Sequence, residues 1–402
     1  MTALTRPRTG TPGPSRKAAR RPPGRTGAYV ALIAIVGMLN LLGLVMVLSS
    51  SSVQAEREHG SAWFYFNRQV AWVALATLVL VVTSRIDYRR LRRAGPPILG
   101  VSGILMAAVL VPGVGITVSG SARWIGVGSL RMQPSELAKL GLLLFGAELL
   151  ARRGQRMHDR RETLYPLLGA YGVTAVLLMA QPDLGTTLVT GGIVFGLLFV
   201  AGLPMTTMTG LGLSAAVATF LLARFEPYRW QRMTSFLDPL ADASHTGYQA
   251  AQGRVALAAG GLFGVGLGSS RAKWGFLPAA HTDFIFAIIG EELGLVGTLS
   301  VIAMFATFAA LGVRAALRAP DRFGTLLAGG VTAWIVGQAT VNLGAVVGLL
   351  PITGVPLPFV SAGGSSLVPL MAAVGVLLNV TRAGGSASGT SRPSSRRRAR
   401  SA

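Results

Sequence analysis

The residues best suited to chemistry gather in the stretch FLPAAHTDFIFAIIGEELG, residues 276–294, where His281, Asp283, Glu291 and Glu292 flank an apolar run. Ionisable groups at the rim of an apolar helix are costly unless they face a cavity or a partner, so each is a candidate for function. Asp283 lies beside His281 at the end of a basic segment; a nearby cation would keep its carboxylate ionised and able to accept a proton, as a general base. Capping is the competing reading, because Thr282 or Asp283 would satisfy the first amides of the next helix. Capping does not account for Glu291 and Glu292, two turns further in. In RMQPSELAKL, starting at Arg131, Glu136 and Lys139 stand i to i+3 on one helix face and can pair. The plainer alternative has Ser135 as cap, Glu136 favoured by the helix dipole and Lys139 snorkelling to the interface.

GGLFGVGLGSSRAKWG has glycines at 260, 261, 264, 266 and 268, followed by Arg271 and Lys273. Freed amides and two cations would suit a pyrophosphate, but no preceding strand or Lys-Ser/Thr ending supports a nucleotide loop, and turns or tight packing explain the glycines better. In QPDLGTT, Asp183 is expected to cap the helix that follows. His59, His158, His245 and His281 have no metal-ligand spacing, neither a G-x-S-x-G elbow nor a Walker motif is present, and the absence of cysteine excludes disulfide and thiolate chemistry.

These groups must be positioned by membrane helices. The 402-residue chain is 51% hydrophobic and only 13% charged, with a mean hydropathy of +0.55, which excludes a soluble globular protein. Apolar runs of roughly 17 to 25 residues recur, so helices and not a barrel satisfy the backbone. They fall near 28–49, 69–83, 97–117, 135–151, 164–181, 185–203, 205–223, 284–313, 324–349 and 366–381, which predicts an all-α integral membrane protein of about ten transmembrane helices. The basic segments from Arg85, Arg152 and Arg314 alternate correctly with both basic tails if all face the cytoplasm. The outward connections are then 119–136, 181–185, 351–366 and the long 224–283 loop between helices seven and eight. That loop is basic where no basic excess is expected: Arg224, Arg229, Arg232, Arg254, Arg271 and Lys273 stand against Glu226, Asp238, Asp242 and Asp283. Its apolar part, from YQAAQGRVALAA onward, should lie in or against the membrane as short helices.

The net charge of +22 is not a nucleic-acid signature, because 13 of it sits in two Pro/Gly/Ser/Thr-rich tails, residues 1–27 and 382–402. Both are expected to be disordered and cytoplasmic, serving as topological anchors or contacting anionic lipid. No cleavage site follows the first apolar run, so a signal peptide is not expected.

RWIGVGSLRMQPSELAKL, QPDLGTTLV, GFLPAAHTDFIFAIIGEELGLVG and GLLPITGVPLPFVSAGGSS, in this order, closely resemble the SEDS family of bacterial cell-wall proteins, across residues 28–381. The resemblance implies a ten-helix SEDS fold in the cytoplasmic membrane with both termini inside. It also implies a peptidoglycan glycosyltransferase that polymerises lipid II on the outer leaflet with a class B penicillin-binding protein and, in the division branch, divisome proteins. Carried over residue by residue, the family's loop aspartate falls on Asp283, its arginine and lysine around helix four on Arg131 and Lys139, and the tryptophan of its RW pair on Trp124. His281, Arg271 and Lys273 complete the expected substrate and pyrophosphate contacts, with a divalent cation, Mg or Mn, as a further expected aid to the leaving group and no organic cofactor. Ala279 stands where the family commonly has an acid, and Ala362 where it commonly has an aromatic. The GLLPITGVPLPFVSAGG wording and the basic tails resemble the FtsW branch more than the RodA branch. A lipid II transporter and a non-catalytic scaffold are the rival readings.

Overall fold

The computed structural model describes residues 27–118, 121–127, 130–153, 161–225, 230, 234 and 246–388. The tails 1–26 and 389–402 lie outside the described residues, as do Glu226, Arg229, Arg232, Asp238, Asp242, His158 and His245.

Eleven helices are described: α1 (Gly27–His59), α2 (Phe64–Arg85), α3 (Gly95–Val109), α4 (Pro134–Arg152), α5 (Leu164–Ala180), α6 (Leu184–Ala201), α7 (Met205–Arg224), α8 (Thr246–Ala259), α9 (Ile285–Leu317), α10 (Arg322–Val346) and α11 (Gly364–Ser388). Seven of them (α1, α2, α6, α7, α9, α10 and α11) are long and apolar enough to cross a membrane by length and composition. α3 and α5 are apolar but shorter, and α4 carries Glu136, Lys139, Glu148 and Arg152 within its 19 residues. These ten coincide with the ten apolar runs; α8 is the short helix expected inside the long loop. α11 runs to Ser388, past the expected helix boundary at 381.

The fold is predominantly helical, as expected, with one small sheet added to it. Between α3 and α4 lies a small antiparallel sheet in the order β1 (Ile116–Val118), β2 (Ser121–Val127), β3 (Leu130–Met132). Its register pairs Ile116 with Trp124 and Gly126 with Arg131. The segment alternates too briefly to stand out against the apolar helices on either side, yet pairing the strands satisfies backbone groups between them.

α10 is the central strut: 67% of its apolar window is buried, against 6% for α7, whose Leu213, Val217 and Phe220 face outward where lipid would lie. Trp334, Ile335 and Leu327 of α10 are almost fully buried, and α10 packs against α4, α6, α9 and α11. α3 approaches α4 closely enough that a Cβ on Gly141 would come within 2.8 Å of the Leu99 amide nitrogen, the small-residue contact that lets membrane helices gain dispersion energy from one another.

α9 is broken. Gly294 has φ 66 and ψ −160 inside it, and a Cβ there would lie 2.4 Å from the Gly264 nitrogen, so only glycine fits. The glycine-rich segment after α8 fills the break: Val265 and Gly266 donate to the Glu291 and Glu292 carbonyls (2.9 and 3.1 Å), while Leu295 and Val296 donate to Gly261 and Leu262 (2.9 and 3.2 Å). Non-helical backbone within a membrane protein survives only when protein satisfies it. The packing reading of the glycines is therefore the one observed, since these amides are spent on the helix.

Candidate active site

Asp283 closes the turn before α9. α9 begins with Phe284 at the N-cap position, which makes no side-chain cap, so the helix starts one residue later than the expectation of Thr282 or Asp283 as cap. The Thr282 hydroxyl instead donates back to the Ala279 carbonyl at 3.2 Å. The backbone around the aspartate is tied down at three successive carbonyls. His281 O accepts from the Ala362 amide (2.9 Å), Thr282 O from Ser361 Oγ (2.6 Å), and Asp283 O from Asn342 Nδ2 (2.8 Å). Ser361 Oγ also accepts from the Leu357 amide at 2.8 Å. Asn342 Nδ2 also reaches the Val355 carbonyl at 2.7 Å, pinning the 351–363 loop to the same spot. That loop carries Phe359 in the left-handed region at φ 67 with its ring buried, strain that surrounding contacts must sustain. The backbone that carries this carboxylate is thereby held in place at three successive residues.

One turn before Asn342 on α10, Gln338 links this loop to the buried ions. Its Nε2 donates to the Pro356 carbonyl at 2.9 Å. Its Oε1 accepts from Trp334 Nε1 at 3.0 Å and from Lys139 Nζ at 3.5 Å. Lys139 pairs with Glu136 at 2.8 Å, both side chains at most 5% exposed, and its ammonium stands 5.5 Å over the Trp334 ring. The ion-pair expectation holds, and the snorkelling alternative does not: Lys139 is sealed in the bundle. The N-cap of α4 is Gln133 in place of the expected Ser135. Glu136 also lines a crevice with room for about one water molecule, shared with Gln338, Leu357 and Ser361.

Glu291 and Glu292 have a structural explanation that sequence spacing did not supply. The Glu291 carboxylate accepts from the Arg271 amide at 2.8 Å, the Ala272 amide at 3.4 Å and the Ser270 hydroxyl. Glu292 accepts from the Ser49 hydroxyl of α1 at 2.6 and 2.8 Å. They anchor the loop that carries Arg271 and Lys273, so those two cations hang from the same helix that Asp283 precedes. Arg271 is exposed; Lys273 donates to the Gly268 carbonyl.

His281 lies against the Tyr65 ring, centroids 5.2 Å apart, with Nδ1 buried and without a hydrogen bond. Burial pushes its pKa below the ordinary imidazole value, only partly opposed by the Glu58 carboxylate, so the ring is neutral at pH 7. Trp124 is half-buried on β2 and Arg131 exposed on β3. Their hairpin is strapped to the turn before α6 by a residue that sequence reasoning passed over. Arg123 donates from Nε to the Gln181 carbonyl at 3.0 Å and lies 3.7 Å from Asp183. Asp183 caps α6 as expected, accepting from the Thr186 amide at 3.1 Å. Ser361, Gln338 and Asn342 were also not singled out. The last two are amides four residues apart in an apolar helix, a polar signal that was readable in principle.

The comparisons with known proteins agree with this architecture. The FtsW/RodA/SpoVE family model, described as a cell cycle protein, matches residues 30–384. The chain is 43% identical over 383 residues to the "Probable peptidoglycan glycosyltransferase FtsW" of Mycobacterium tuberculosis, covering 93% of this chain and 73% of that one. It is 39% identical to the stage V sporulation protein E of Bacillus subtilis, covering 89% and 98%. Among solved structures, one described as "Structural coordination of polymerization and crosslinking by a peptidoglycan synthase complex" aligns with TM-score 0.73 at 32% identity, covering 88% of this chain and 97% of that one. The rod shape determining protein RodA of Thermus thermophilus aligns with TM-score 0.64 at 30% identity, covering 87% and 95%. A multi-pass helical protein with these motifs in this order belongs to the FtsW/RodA/SpoVE family.

Proposed function

We propose that this chain is a peptidoglycan glycosyltransferase that polymerises lipid II into β-1,4-linked glycan, with Asp283 as its general base. The activity rests on the identity to relatives named for it. The assignment of Asp283 rests on one observation: the three tethered carbonyls that fix its backbone at the start of α9, outside the membrane-spanning helices.

Lipid II carries its sugar on a pyrophosphate joined to a polyprenyl tail, so the reaction needs a lipid-accessible site, cations and a base. In the proposed step Asp283 takes the proton from the 4-hydroxyl of the acceptor GlcNAc while that oxygen bonds to the donor's anomeric carbon. The bond from that carbon to the pyrophosphate oxygen breaks, and the pyrophosphate leaves with the electron pair. Displacement on an α-linked donor inverts it to the β product with one base. Arg131 and Arg271, both exposed, are assigned to the departing charge. Trp124, His281 and Lys273 are assigned to the surrounding walls, and Lys139 acts through Gln338 on the 351–363 loop. Among the described residues no three acidic, imidazole or thiol side chains converge on a metal position.

A lipid II transporter would use Glu136, Lys139, Glu291 and Glu292 as a polar path. Each of these is engaged in internal bonds, which favours chemistry at the rim. The higher identity to FtsW than to RodA supports a division role. The solved peptidoglycan synthase complex supports a class B penicillin-binding protein as partner. Divisome contacts, the cytoplasmic placement of both termini and an outward-facing Asp283 belong to the same proposal.

The test is polymerisation of lipid II by purified protein, with and without its partner transpeptidase. Glycan made by the wild type and a loss of about 10²-fold or more for a folded Asp283→Ala variant is expected. Full-rate polymer from that variant would remove the base assignment, and a wild type inert with its partner would remove the activity.

A further inference from the structure

At the end of the bundle opposite Asp283, a 3-10 helix over Tyr88–Arg93 leads into α3. Its arginines and the last turn of α4 enclose an open pocket of about 510 Å³ lined by Arg89, Arg90, Arg92, Arg93, Glu148 and Arg152. Five guanidiniums thus face one carboxylate. Three of the five are already engaged. Arg89 is held by Asp321 at 2.8 Å, and Glu148 is shared between Arg92 (3.6 Å) and Arg152. Asp321 is itself fixed as the cap of α10 and accepts from the Tyr88 hydroxyl at 2.8 Å. Burial opposes ionisation of Asp321, but the Gly324 amide, Arg89 and Tyr88 outweigh it and hold its carboxyl below the ordinary value. The pocket wall is therefore built and rigid. Arg90 and Arg93 are exposed and have no ion pair among the described residues.

The ligand this pocket fits is a phosphate-bearing anion, for which guanidinium forks are the natural partners. The surroundings choose its source. The 3-10 helix runs directly into α3, whose Val101 and Ile104 are 51% and 70% exposed, apolar side chains on the helix that follows the pocket. We infer that Arg90 and Arg93, with the anchored Arg89, Arg92 and Arg152, bind the phosphodiester headgroup of an anionic phospholipid whose acyl chains lie along α3. Topological anchoring alone would need positive charge here but no pocket and no selectivity. A lipid site requires both, independently of the glycosyltransferase chemistry.

The test is retention of phospholipid by the full chain in detergent, read by native mass spectrometry after exchange against phosphatidylglycerol or phosphatidylcholine. The wild type should retain phosphatidylglycerol in preference to phosphatidylcholine. Arg90→Gln with Arg93→Gln should weaken that retention roughly 30-fold, and Arg90→Gln alone should give an intermediate loss if the double variant folds poorly. Binding should fall as salt rises. Equal retention of the two lipids, or unchanged phosphatidylglycerol retention in the variants, would overturn the site. Free glycerol phosphate that competes as well as the lipid does would overturn the lipid assignment.

Discussion

At the scale of single residues, the buried Glu136–Lys139 pair makes a sharp prediction. Both side chains are at most 5% exposed, so removing one strands the other in a low-dielectric interior, a cost of about 3–5 kcal/mol. Lys139→Met should lower the thermal unfolding midpoint strongly, whereas Lys139→Met combined with Glu136→Leu should recover most of the loss. A double variant no more stable than the single one would show that the pair is not what Lys139 is kept for. His281 makes a second prediction, in pH. Burial lowers its folded pKa, so the unfolded chain binds the proton more readily. The stability linked to this group is fully present above about pH 6.5, the ordinary imidazole value, and erodes as pH falls through the folded pKa. The unfolding midpoint of the wild type should fall between pH 7.5 and 5.5 by more than that of His281→Gln. Matching slopes would contradict the buried, neutral ring. Asp283 stood out as a candidate at this scale, because an acid near a histidine at a helix rim runs against the membrane's cost for charge. The duties of Glu291 and Glu292 did not: their partners, the amides of 270–272 and Ser49, are contacts of a fold whose tertiary path spacing cannot supply.

At the scale of elements, the two departures from the family wording fall at positions that contribute backbone hydrogen bonds to the segment around Asp283. Ala362 contributes through its amide, donated to the His281 carbonyl, a bond that does not depend on its side chain. Ala279 sits at φ 55 and contributes through its carbonyl, which accepts from the amides of Thr282 and Phe284 at 3.1 and 3.3 Å. Ser361 is different, since its hydroxyl is both the donor to Thr282 and the acceptor for Leu357. Ser361→Ala should lower kcat about tenfold with little change in KM, because the aspartate loses alignment while the substrate-binding cations are untouched. Ser361→Thr, which keeps the hydroxyl, should restore most of the rate. A fall in KM-linked binding with kcat preserved would argue against a positioning role. The apolar runs revealed the helices because lipid demands long stretches without charge. The meander between α3 and α4 and the break at Gly294 were hidden for the opposite reason. Short strands and a single glycine leave no periodic trace, and their cause is close approach of distant backbone.

At the scale of the whole molecule, arginine is most concentrated at one end of the bundle. One end carries Arg85, Arg89, Arg90, Arg92, Arg93, Arg152, Arg153, Arg161, Arg314, Arg318 and Arg322 against Asp87, Glu148, Glu162 and Asp321. The other end holds Asp283, His281 and the turn between α1 and α2, joined by the contact of His281 with Tyr65. A cytoplasmic excess of arginine sets membrane orientation, so the arginine-rich end should face inward and the candidate site outward, where a polymerase of exported lipid-linked sugar has its substrate. The chain lacks cysteine, which makes this directly measurable without removing any native thiol. Ser61, exposed between α1 and α2, and Leu317, 81% exposed at the far end of the 33-residue α9, lie at opposite ends of the bundle. With Ser61→Cys, a membrane-impermeant maleimide added to intact cells should label the protein; with Leu317→Cys, only after the cells are opened. Labelling of Leu317→Cys in intact cells would invert the molecule. It would place Asp283 on the cytoplasmic side, away from the leaflet where the proposed polymer is made, and the base assignment would fail with it.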